Sequence, residues 1–137
     1  IVSTTGNPYG HLVLRGGSRG SNYHLEAVQE AAAELRQSGL QDRLMVDCSH
    51  ANSNKDFRRQ AEVLTNVAGQ LRGGSNHVMG VMIESHLVEG NQKLSADLKQ
   101  LTYGQSVTDA CISLETTQQL LDRLAEAVAT CCSTVTV

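Results

Sequence analysis

The sequence predicts an α/β fold with parallel strands, and two features of its pattern support this class. Three times along the 137 residues, a short apolar run is followed by a loop rich in Gly, Ser, Asn or His and then by a stretch with helical periodicity. The apolar runs do not alternate with polar residues, which is typical of strands that are covered on both faces. Strands that alternate with amphipathic helices indicate βαβ units, whose strands run parallel.

The first predicted unit begins with the apolar run His11–Leu14 and continues into a glycine-rich loop at residues 15–20. A helix follows, and Gly39 is expected just beyond its C-terminal end, where glycine is common. The spacing places four apolar side chains on the inward face of this helix, namely Leu25, Val28, Ala32 and Leu35.

The second predicted unit has the apolar run Leu44–Asp47 and then a polar loop at residues 48–53. The helix that follows is expected to stop at Gly73 and Gly74. Its inward face is predicted to carry Phe57, Ala61, Leu64, Ala68 and Leu71.

The third predicted unit has the apolar run Val78–Ile83 and then a long polar loop from Glu84 to about Asp109. Thr116 and Gln119 have the spacing of a capping box at the start of the last helix. The inward face of that helix is predicted to carry Leu120, Leu124 and Val128.

Three βα units are too few to close a barrel, which needs eight such units in about 250 residues. A barrel interpretation therefore requires about half of the polypeptide to lie elsewhere, and a small open sheet is the structural alternative. The chain begins with Ile1 rather than Met, which leads us to expect further sequence upstream.

Composition argues against nucleic-acid and membrane partners. The net charge is −3, acidic and basic residues are interspersed, and no apolar run approaches the ~20 residues of a membrane span. The residues Arg15 to Gly20 form a short RGG-like element, which is a less favoured nucleic-acid alternative because such elements usually occur in longer, basic arrays. We expect free thiols and a cytoplasmic protein, because no CxxC pair occurs among Cys48, Cys111, Cys131 and Cys132.

Polar residues cluster after each apolar run, where the carboxyl ends of parallel strands meet. Arg15 stands beside two glycines, which suits an anion site because a guanidinium binds phosphate through two hydrogen bonds and glycines let backbone N–H groups approach. A plain turn with a solvated Arg is the alternative. His50 follows the second run and is a candidate metal ligand or general base, or a histidine that is only hydrogen-bonded.

Two carboxylates complete the candidate site. Glu84 ends the third apolar run, where a buried carboxylate requires a cation or a basic partner, and a buried salt bridge is its alternative role. His86 and Glu89 follow closely. Asp109 lies near the end of the long loop, and its alternative role is to favour a helix N-terminus through the helix dipole. One His and two carboxylates from three successive connections are a plausible set of ligands for Mn²⁺, Fe²⁺, Zn²⁺ or Co²⁺.

Four segments of the chain carry a resemblance to a known family. Residues 11–17, 45–53, 80–92 and 104–112 closely resemble, in this order, the type I 3-deoxy-D-arabino-heptulosonate 7-phosphate (DAHP) synthases. The resemblance implies a TIM (β/α)8 barrel that condenses phosphoenolpyruvate with erythrose 4-phosphate on a divalent metal ion, releasing phosphate. That reaction is the first step of the shikimate pathway of aromatic amino acid biosynthesis.

The resemblance also implies roles for individual residues. His50, Glu84 and Asp109 match three of the four metal ligands of the family, and Arg15 matches a residue that holds the phosphate of phosphoenolpyruvate. His50 is also a candidate proton carrier. The fourth ligand of the family is a Cys in an upstream motif that this chain lacks, as it lacks the Lys-Pro-Arg-Thr motif for the sugar phosphate. Residues 1–137 are therefore expected to be the C-terminal portion of one barrel domain, about its last three βα units.

Members of the family associate into dimers or tetramers, so the resemblance implies a homo-oligomer. It also implies an aromatic amino acid effector, and the sequence does not select among Phe, Tyr and Trp. The alternative to an active synthase is a non-catalytic, truncated fragment of that enzyme. We expect the 137 residues in isolation to have little activity, because most of the anion-binding residues are missing.

Overall fold

A parallel sheet of three strands forms the centre of the molecule. The structure, a computed structural model, describes residues 1–133 and the side chains of residues 1–131. The strands are β1 (Leu12–Leu14), β2 (Leu44–Asp47) and β3 (Val78–Met82), in the order β1-β2-β3 with both pairs parallel. This confirms the predicted α/β class and the parallel direction of the strands.

Three helices lie against this sheet: α1 (Leu25–Gln37), α2 (Gln60–Arg72) and α3 (Leu114–Ser133). A single 3-10 turn at Phe57–Arg59 leads into α2, which packs along α3. Full burial of each aliphatic side chain contributes about 1.5–3 kcal/mol relative to exposure. The core draws on all three strands and all three helices, and it includes Leu14, Val28, Leu44, Val46, Val63, Leu64, Val67, Ile112 and Leu120.

Most of the predicted inward residues are buried or partly buried, but two are not. Leu25 is 39% exposed and Val128 is 45% exposed. Both lie near a helix end, and at the end of α3 the fully buried residue is Ala127. The sequence pattern also missed Val63 and Val67, which are fully buried because α2 packs on both the sheet and α3 and so buries a wider face than one apolar stripe.

The prediction that the strands are covered on both faces holds for β2 but not for β3. In β2, Leu44 and Val46 have no exposed surface, and Asp47, which alternates with them along the strand, is 2% exposed. In β3, Met79 is 52% and Met82 is 43% exposed. Apolar runs therefore identified the strands correctly while overstating how much of β3 the described chain covers.

The long connection after β3 is more ordered than the predicted loop. We call residues 84–111 the β3–α3 segment. It contains β4 (Ser85–His86), β5 (Val88–Asn91), β6 (Gln105–Ser106) and a 3-10 turn at Leu98–Gln100, and β7 (Ile112–Ser113) follows it. The pairs β4–β7 and β5–β6 are parallel. Strands of two to four residues with Glu, Gly and Asn carry no apolar periodicity, so the sequence pattern could not reveal them.

The start of α3 also differs from the prediction. The helix begins at Leu114, and Ser113 Oγ accepts a hydrogen bond from the backbone N–H of Thr116 at 3.1 Å. Ser113 is therefore the N-terminal cap, and the predicted capping box of Thr116 and Gln119 lies one turn too far along the chain. The predicted ends of α1 and α2 are confirmed, since Gly39 follows the cap residue of α1 and Gly73 caps α2.

Cys48 and Cys111 are free thiols. Cys48 and Cys111 are buried and Cys131 is partly buried, while Cys132 lies outside the described side chains. Among the described helices, none combines the length and the apolar character that crossing a bilayer requires.

Candidate metal centre

A cleft of about 370 Å³ opens at the carboxyl ends of β1, β2 and β3. The connections that follow the three strands meet here, as expected for parallel strands. All four site residues predicted from the sequence line this cleft. Its full lining is Arg15, Ser49, His50, Ser53, Lys55, Phe57, Glu84, Asp109 and Ala110.

His50 stands in a tight turn after β2. Its φ is +53°, in the left-handed region that residues other than glycine seldom adopt. The turn is held by bonds to the carbonyl of His50, which accepts from the backbone N–H of Lys55 at 2.8 Å and from Ser53 Oγ at 3.2 Å. Unfavourable backbone conformations of this kind persist only where the surroundings hold them, and they are common at functional sites.

The buried carboxylate of Asp47 orients the imidazole of His50. Asp47 is 2% exposed, and its Oδ1 accepts from both the backbone N–H and the hydroxyl of Ser49 at 2.8 and 2.7 Å. Its Oδ2 lies 2.8 Å from His50 Nδ1. Because an ionised carboxylate can only accept, Nδ1 carries the proton and the lone pair of the neutral ring lies on Nε2. A carboxylate that orients a histidine in this way is typical of metal-binding histidines.

Two hydrogen bonds from the side chain of Gln60, at the start of α2, hold the backbone of Glu84. The side chain of Gln60, which has no exposed surface, accepts from the backbone N–H of Glu84 at 2.8 Å and donates to its carbonyl at 3.1 Å. The same carbonyl accepts from the N–H of Ile112 at 3.0 Å. The backbone of Glu84 is thereby fixed, and its Oε1 lies 3.7 Å from His50 Nε2.

Asp109 brings the third potential ligand from the far end of the β3–α3 segment. One ligand atom from each of His50, Glu84 and Asp109 lies within 4.8 Å of the others. Donor atoms bound to one ion at ~2.0–2.2 Å lie roughly 3–4.4 Å apart, so a small closure would let all three contact the same ion. One imidazole nitrogen and two carboxylate oxygens are a suitable donor set for a divalent transition metal.

The electrostatics of the cluster favour a cation. Partial burial, followed by the negative charge of Asp109, raises the pKa of Glu84. His50 and Arg15 oppose this rise but do not cancel it. Two neighbouring carboxylates without a compensating charge between them are unfavourable, and a divalent ion would remove that penalty.

Arg15 lies directly after β1 on the other side of the cleft. Its side chain is exposed, and its charge lowers the pKa of Glu84, as a nearby positive charge should. Lys55 also lines the cleft. The cleft therefore offers two cationic side chains beside two carboxylates, an arrangement suited to a phosphorylated substrate next to a metal ion.

Other polar residues near the motifs stay out of the cluster. His86 Nδ1 accepts from the backbone N–H of Leu87 at 2.9 Å, and Glu89 pairs with Arg58 at 3.7 Å. The guanidinium of Arg58 also lies 4.4 Å from the centre of the Phe57 ring. A larger cleft of about 710 Å³ lies between the start of α1 and the end of α2, and the described residues place no ligand cluster there.

Comparison with known proteins decides the family. The model of the DAHP synthetase I family matches residues 1–122, which is most of the chain. The chain belongs to the DAHP synthetase I family. This confirms the resemblance that the four sequence segments carried.

The curated relatives are similar over nearly the whole chain. A phospho-2-dehydro-3-deoxyheptonate aldolase of Haemophilus influenzae is 49% identical over 93% of this chain and 35% of its own length. The Tyr-sensitive enzyme of that name from Escherichia coli K12 is 49% identical over 88% of this chain and 34% of its own length. This chain therefore spans about a third of the length of these relatives.

A solved structure matches the fold. The phospho-2-dehydro-3-deoxyheptonate aldolase of Francisella tularensis SCHU S4 has a TM-score of 0.86 at 47% identity, over 93% of this chain and 37% of that one. At this identity and coverage the likeness extends to the arrangement of the three βα units.

The cysteines of this family member do not join the described cluster. Burial, followed by the charge of Asp47, raises the pKa of Cys48 to about 12, which keeps its thiol protonated. Burial and the charges of Glu84 and Asp109 raise the pKa of Cys111. Neither thiol is among the residues whose ligand atoms converge in the described part of the chain, which are His50, Glu84 and Asp109. This agrees with the sequence, in which no cysteine sits in the motif of the fourth ligand.

Two functional residues escaped the sequence analysis. Gln60 was missed because its partner, Glu84, is 24 residues away and its position on a helix predicts only an amphipathic face. Asp47 was read as the end of a strand, and the pattern Asp-Cys-Ser-His could have revealed its bond to His50. An Asp three residues before a candidate histidine ligand therefore indicates a carboxylate that can orient the imidazole.

Proposed function

We propose that this chain supplies the metal centre and part of the phosphoenolpyruvate site of a 3-deoxy-D-arabino-heptulosonate 7-phosphate synthase. The proposed reaction condenses phosphoenolpyruvate with erythrose 4-phosphate, releases phosphate and begins aromatic amino acid biosynthesis. In this proposal residues 1–137 are the C-terminal portion of one (β/α)8-barrel domain. The remaining βα units come from sequence outside the 137 residues, which is consistent with relatives about three times as long.

One observation carries the proposal. Three potential ligands that are far apart in the sequence, His50, Glu84 and Asp109, bring their donor atoms within 4.8 Å of one another in a cleft that Arg15 also lines. Structural salt bridges would pair each carboxylate with its own cation, whereas here two carboxylates and one imidazole converge on the same point. Convergence of this kind is expected of a metal site and not of a fold-stabilising network.

The ion would be held by His50 Nε2 and by the carboxylates of Glu84 and Asp109. When bound, a divalent metal supplies Lewis-acid chemistry that polarises a carbonyl oxygen. Asp47 keeps the proton of His50 on Nδ1, so that Nε2 stays available as a donor atom. Gln60 holds the backbone of Glu84, which restricts where its carboxylate can reach.

Arg15 would bind the phosphate of phosphoenolpyruvate through its guanidinium. An arginine forms two parallel hydrogen bonds with a phosphate, which fixes orientation as well as position. Lys55 adds a second positive charge on the same cleft. Together they offset the charge that the substrate phosphate brings next to the two carboxylates.

The contacts of His50 favour a ligand role over a proton-carrier role. Nδ1 is engaged by Asp47 and Nε2 faces Glu84, so both ring nitrogens are committed when a metal is bound. A histidine in that state has no free nitrogen to accept a proton. We therefore assign the proton transfers of the proposed reaction to groups other than His50.

Further properties of the proposed enzyme follow from the family. We expect a homo-oligomer with an aromatic amino acid effector, and the E. coli K12 relative is named Tyr-sensitive. The free thiols of Cys48 and Cys111 support a reducing, cytoplasmic compartment. Mn, Fe, Co and Zn are the metals that suit the proposed donor set.

The proposal is tested on the intact native protein by two measurements made side by side. Phosphate release is followed with phosphoenolpyruvate, erythrose 4-phosphate and Mn²⁺, and Mn²⁺ binding is followed by the paramagnetic resonance of the free ion. Glu84→Gln and Asp109→Asn should each weaken Mn²⁺ binding at least about tenfold and lower phosphate release in parallel.

Glu89→Gln is the matched control, because Glu89 lies in the same segment but pairs with Arg58 outside the cluster. Its Mn²⁺ affinity and turnover should stay close to those of the parent protein. Unchanged Mn²⁺ affinity in both Glu84→Gln and Asp109→Asn would exclude the proposed metal centre. Full Mn²⁺ binding without phosphate release from these substrates would leave the metal centre in place and exclude the proposed reaction.

A further inference from the structure

Asn52 joins the ends of two strands from a fully enclosed position. Only 1% of its surface is exposed. Its Nδ2 donates to the carbonyl of Leu14 at 3.0 Å, at the end of β1, and to the carbonyl of Asp47 at 2.8 Å, at the end of β2. Its Oδ1 accepts from the backbone N–H of Asn22 at 2.8 Å. A single side chain thereby satisfies three main-chain groups from three separate stretches of the chain.

Asn22 extends this connection back to the loop that carries Arg15. Its side-chain oxygen accepts from the backbone N–H of Gly16 at 2.7 Å. Gly16 is also packed against the next loop, since a Cβ added there would lie 2.8 Å from the Cβ of Ala51 and 2.9 Å from the nitrogen of Asn52. The loop after β1 therefore rests directly on the loop that contains His50.

Arg15 lies between the two residues that this network holds. The carbonyl of Leu14, which precedes it, is bound by Asn52, and the N–H of Gly16, which follows it, is bound by Asn22. The guanidinium itself is on an exposed side chain with a flexible stem. The position of its backbone relative to His50 is thus determined by the two asparagines, while the stem supplies only local adjustment.

We propose that Asn22 and Asn52 are positioning residues that hold the phosphate-binding Arg15 at a set distance from the metal ligand His50. This inference rests on the proposed function, since it takes Arg15 to bind the phosphate of phosphoenolpyruvate. Neither asparagine lines the cleft or contacts the substrate, so both act through the loop of Arg15. Misplacement of a binding group by about 1 Å is enough to cost an enzyme one to two orders of magnitude.

The test uses Asn22→Ala in the intact native protein. This change removes the bond to Gly16 and keeps the backbone bond from residue 22 to Asn52. We expect the KM for phosphoenolpyruvate to rise roughly tenfold, while kcat, the KM for erythrose 4-phosphate and the Mn²⁺ affinity each change by less than about twofold. A general loss of structure would alter all four quantities together.

Asn66→Ala is the matched control. Asn66 accepts one side-chain bond, from Gln70 at 2.8 Å, on a part of α2 away from the cleft. Like Asn22→Ala, this variant loses one asparagine side chain and one side-chain hydrogen bond. Its KM for phosphoenolpyruvate should stay at the parent value. Asn52→Ala releases the carbonyl of Asp47 as well, so it should raise both that KM and the dissociation constant of Mn²⁺.

A double-mutant cycle separates positioning from independent effects. Arg15→Ala should raise the KM for phosphoenolpyruvate, and Asn22→Ala added to Arg15→Ala should raise it no further. Equal effects of Asn22→Ala with and without Arg15 would overturn the positioning role. So would an unchanged KM in Asn22→Ala when Arg15→Ala alone has the expected effect. An unchanged KM in Arg15→Ala would instead refute the phosphate role of Arg15 in the proposed function.

Discussion

Two regions supply the ligands of the candidate metal centre, and they are built differently. The loop after β2 (residues 48–56) has four buried residues, Cys48, Ser49, Asn52 and Ser53. The β3–α3 segment (residues 84–111) is mostly exposed and is held by strands of two to four residues. The first region places His50 through buried side-chain hydrogen bonds. The second places Asp109 through exposed bonds on short strands.

This difference indicates which side chains of the site already have a fixed position before a ligand binds. The side-chain hydrogen bonds of the loop after β2 are buried, so breaking them would leave buried polar groups without partners. The bonds of the β3–α3 segment, such as those of Gln92 to the carbonyls of Thr102 and Gln105, can be exchanged with water. We infer that His50 and Glu84 form a preset pair, because buried Gln60 fixes the backbone of Glu84 at the start of the segment, and that the exposed remainder of the segment lets Asp109 move toward them.

The largest expected effect comes from adding a Cβ that presses on each region: at Gly16, against Ala51 and Asn52 of the loop after β2, and at Gly104, within the β3–α3 segment. Gly16 and Gly104 have φ of +73° and +78°, and an added Cβ would meet a neighbour at 2.8 Å in both. Gly16→Ala should cost about 3 kcal/mol of unfolding free energy, from the left-handed backbone plus overpacking against buried backbone. Gly104→Ala should cost less, about 1–2 kcal/mol, because the Cβ of Leu87 that it would meet belongs to an exposed segment whose backbone can shift.

Denaturant unfolding of the intact protein measures both values. Gly74→Ala, with φ of +89° and no neighbour within 4 Å, gives the backbone cost alone. Equal destabilisation by Gly16→Ala and Gly104→Ala would show that the two regions are equally rigid, contrary to this account.

The next effect concerns the buried carboxylate behind His50. Asp47→Asn places an amide where the carboxylate accepts from His50 Nδ1, which favours the tautomer with the proton on Nε2 and so blocks metal binding. We expect the Mn²⁺ affinity to fall about 10- to 100-fold. Isothermal titration of the intact protein measures this.

Asp97→Asn serves as the control from the exposed region, where Asp97 accepts from the backbone N–H of Lys99 at 3.1 Å. It should leave the Mn²⁺ affinity unchanged. If Asp47→Asn binds Mn²⁺ as tightly as the parent, the preset orientation of His50 contributes nothing.

The smallest effect on stability is expected just after the β3–α3 segment, where Ser113 caps α3. Ser113→Ala should lower the free energy of unfolding by about 1 kcal/mol, because the N–H of Thr116 loses its partner. Gln119→Ala should change it by no more than about 0.5 kcal/mol, since Gln119 is exposed and outside the cap. A larger loss in Gln119→Ala than in Ser113→Ala would restore the capping box predicted from the sequence.

Sequence reasoning succeeded wherever a local pattern carries the information. β2 was predicted with its observed bounds, Leu44–Asp47, because an apolar run bounded by polar residues is a local feature. The convergence of His50, Glu84 and Asp109 was predicted for a similar reason, since polar residues after parallel strands meet at one edge of the sheet. The family resemblance then matched these three residues to metal ligands of the family.

Sequence reasoning failed where the hydrogen-bond partner of a side chain is distant in the chain. The bonds of Asn52 to Leu14 and of Gln60 to Glu84 span 38 and 24 residues, and no spacing rule connects an amide side chain to a main-chain group that far away. The short strands of the β3–α3 segment are likewise set by their pairing with each other. Leu25 was misplaced because helical periodicity says nothing about whether a neighbour covers the end of a helix.

The central claim is that one divalent ion binds the side chains of His50, Glu84 and Asp109. Crystals of the intact protein grown with MnCl₂ should give an anomalous difference peak at the manganese edge within ~2.0–2.3 Å of His50 Nε2 and of one oxygen from each of Glu84 and Asp109. Asp109 should show the largest shift from the arrangement described here. A manganese peak bound by other residues, with these three side chains still apart, would contradict the account.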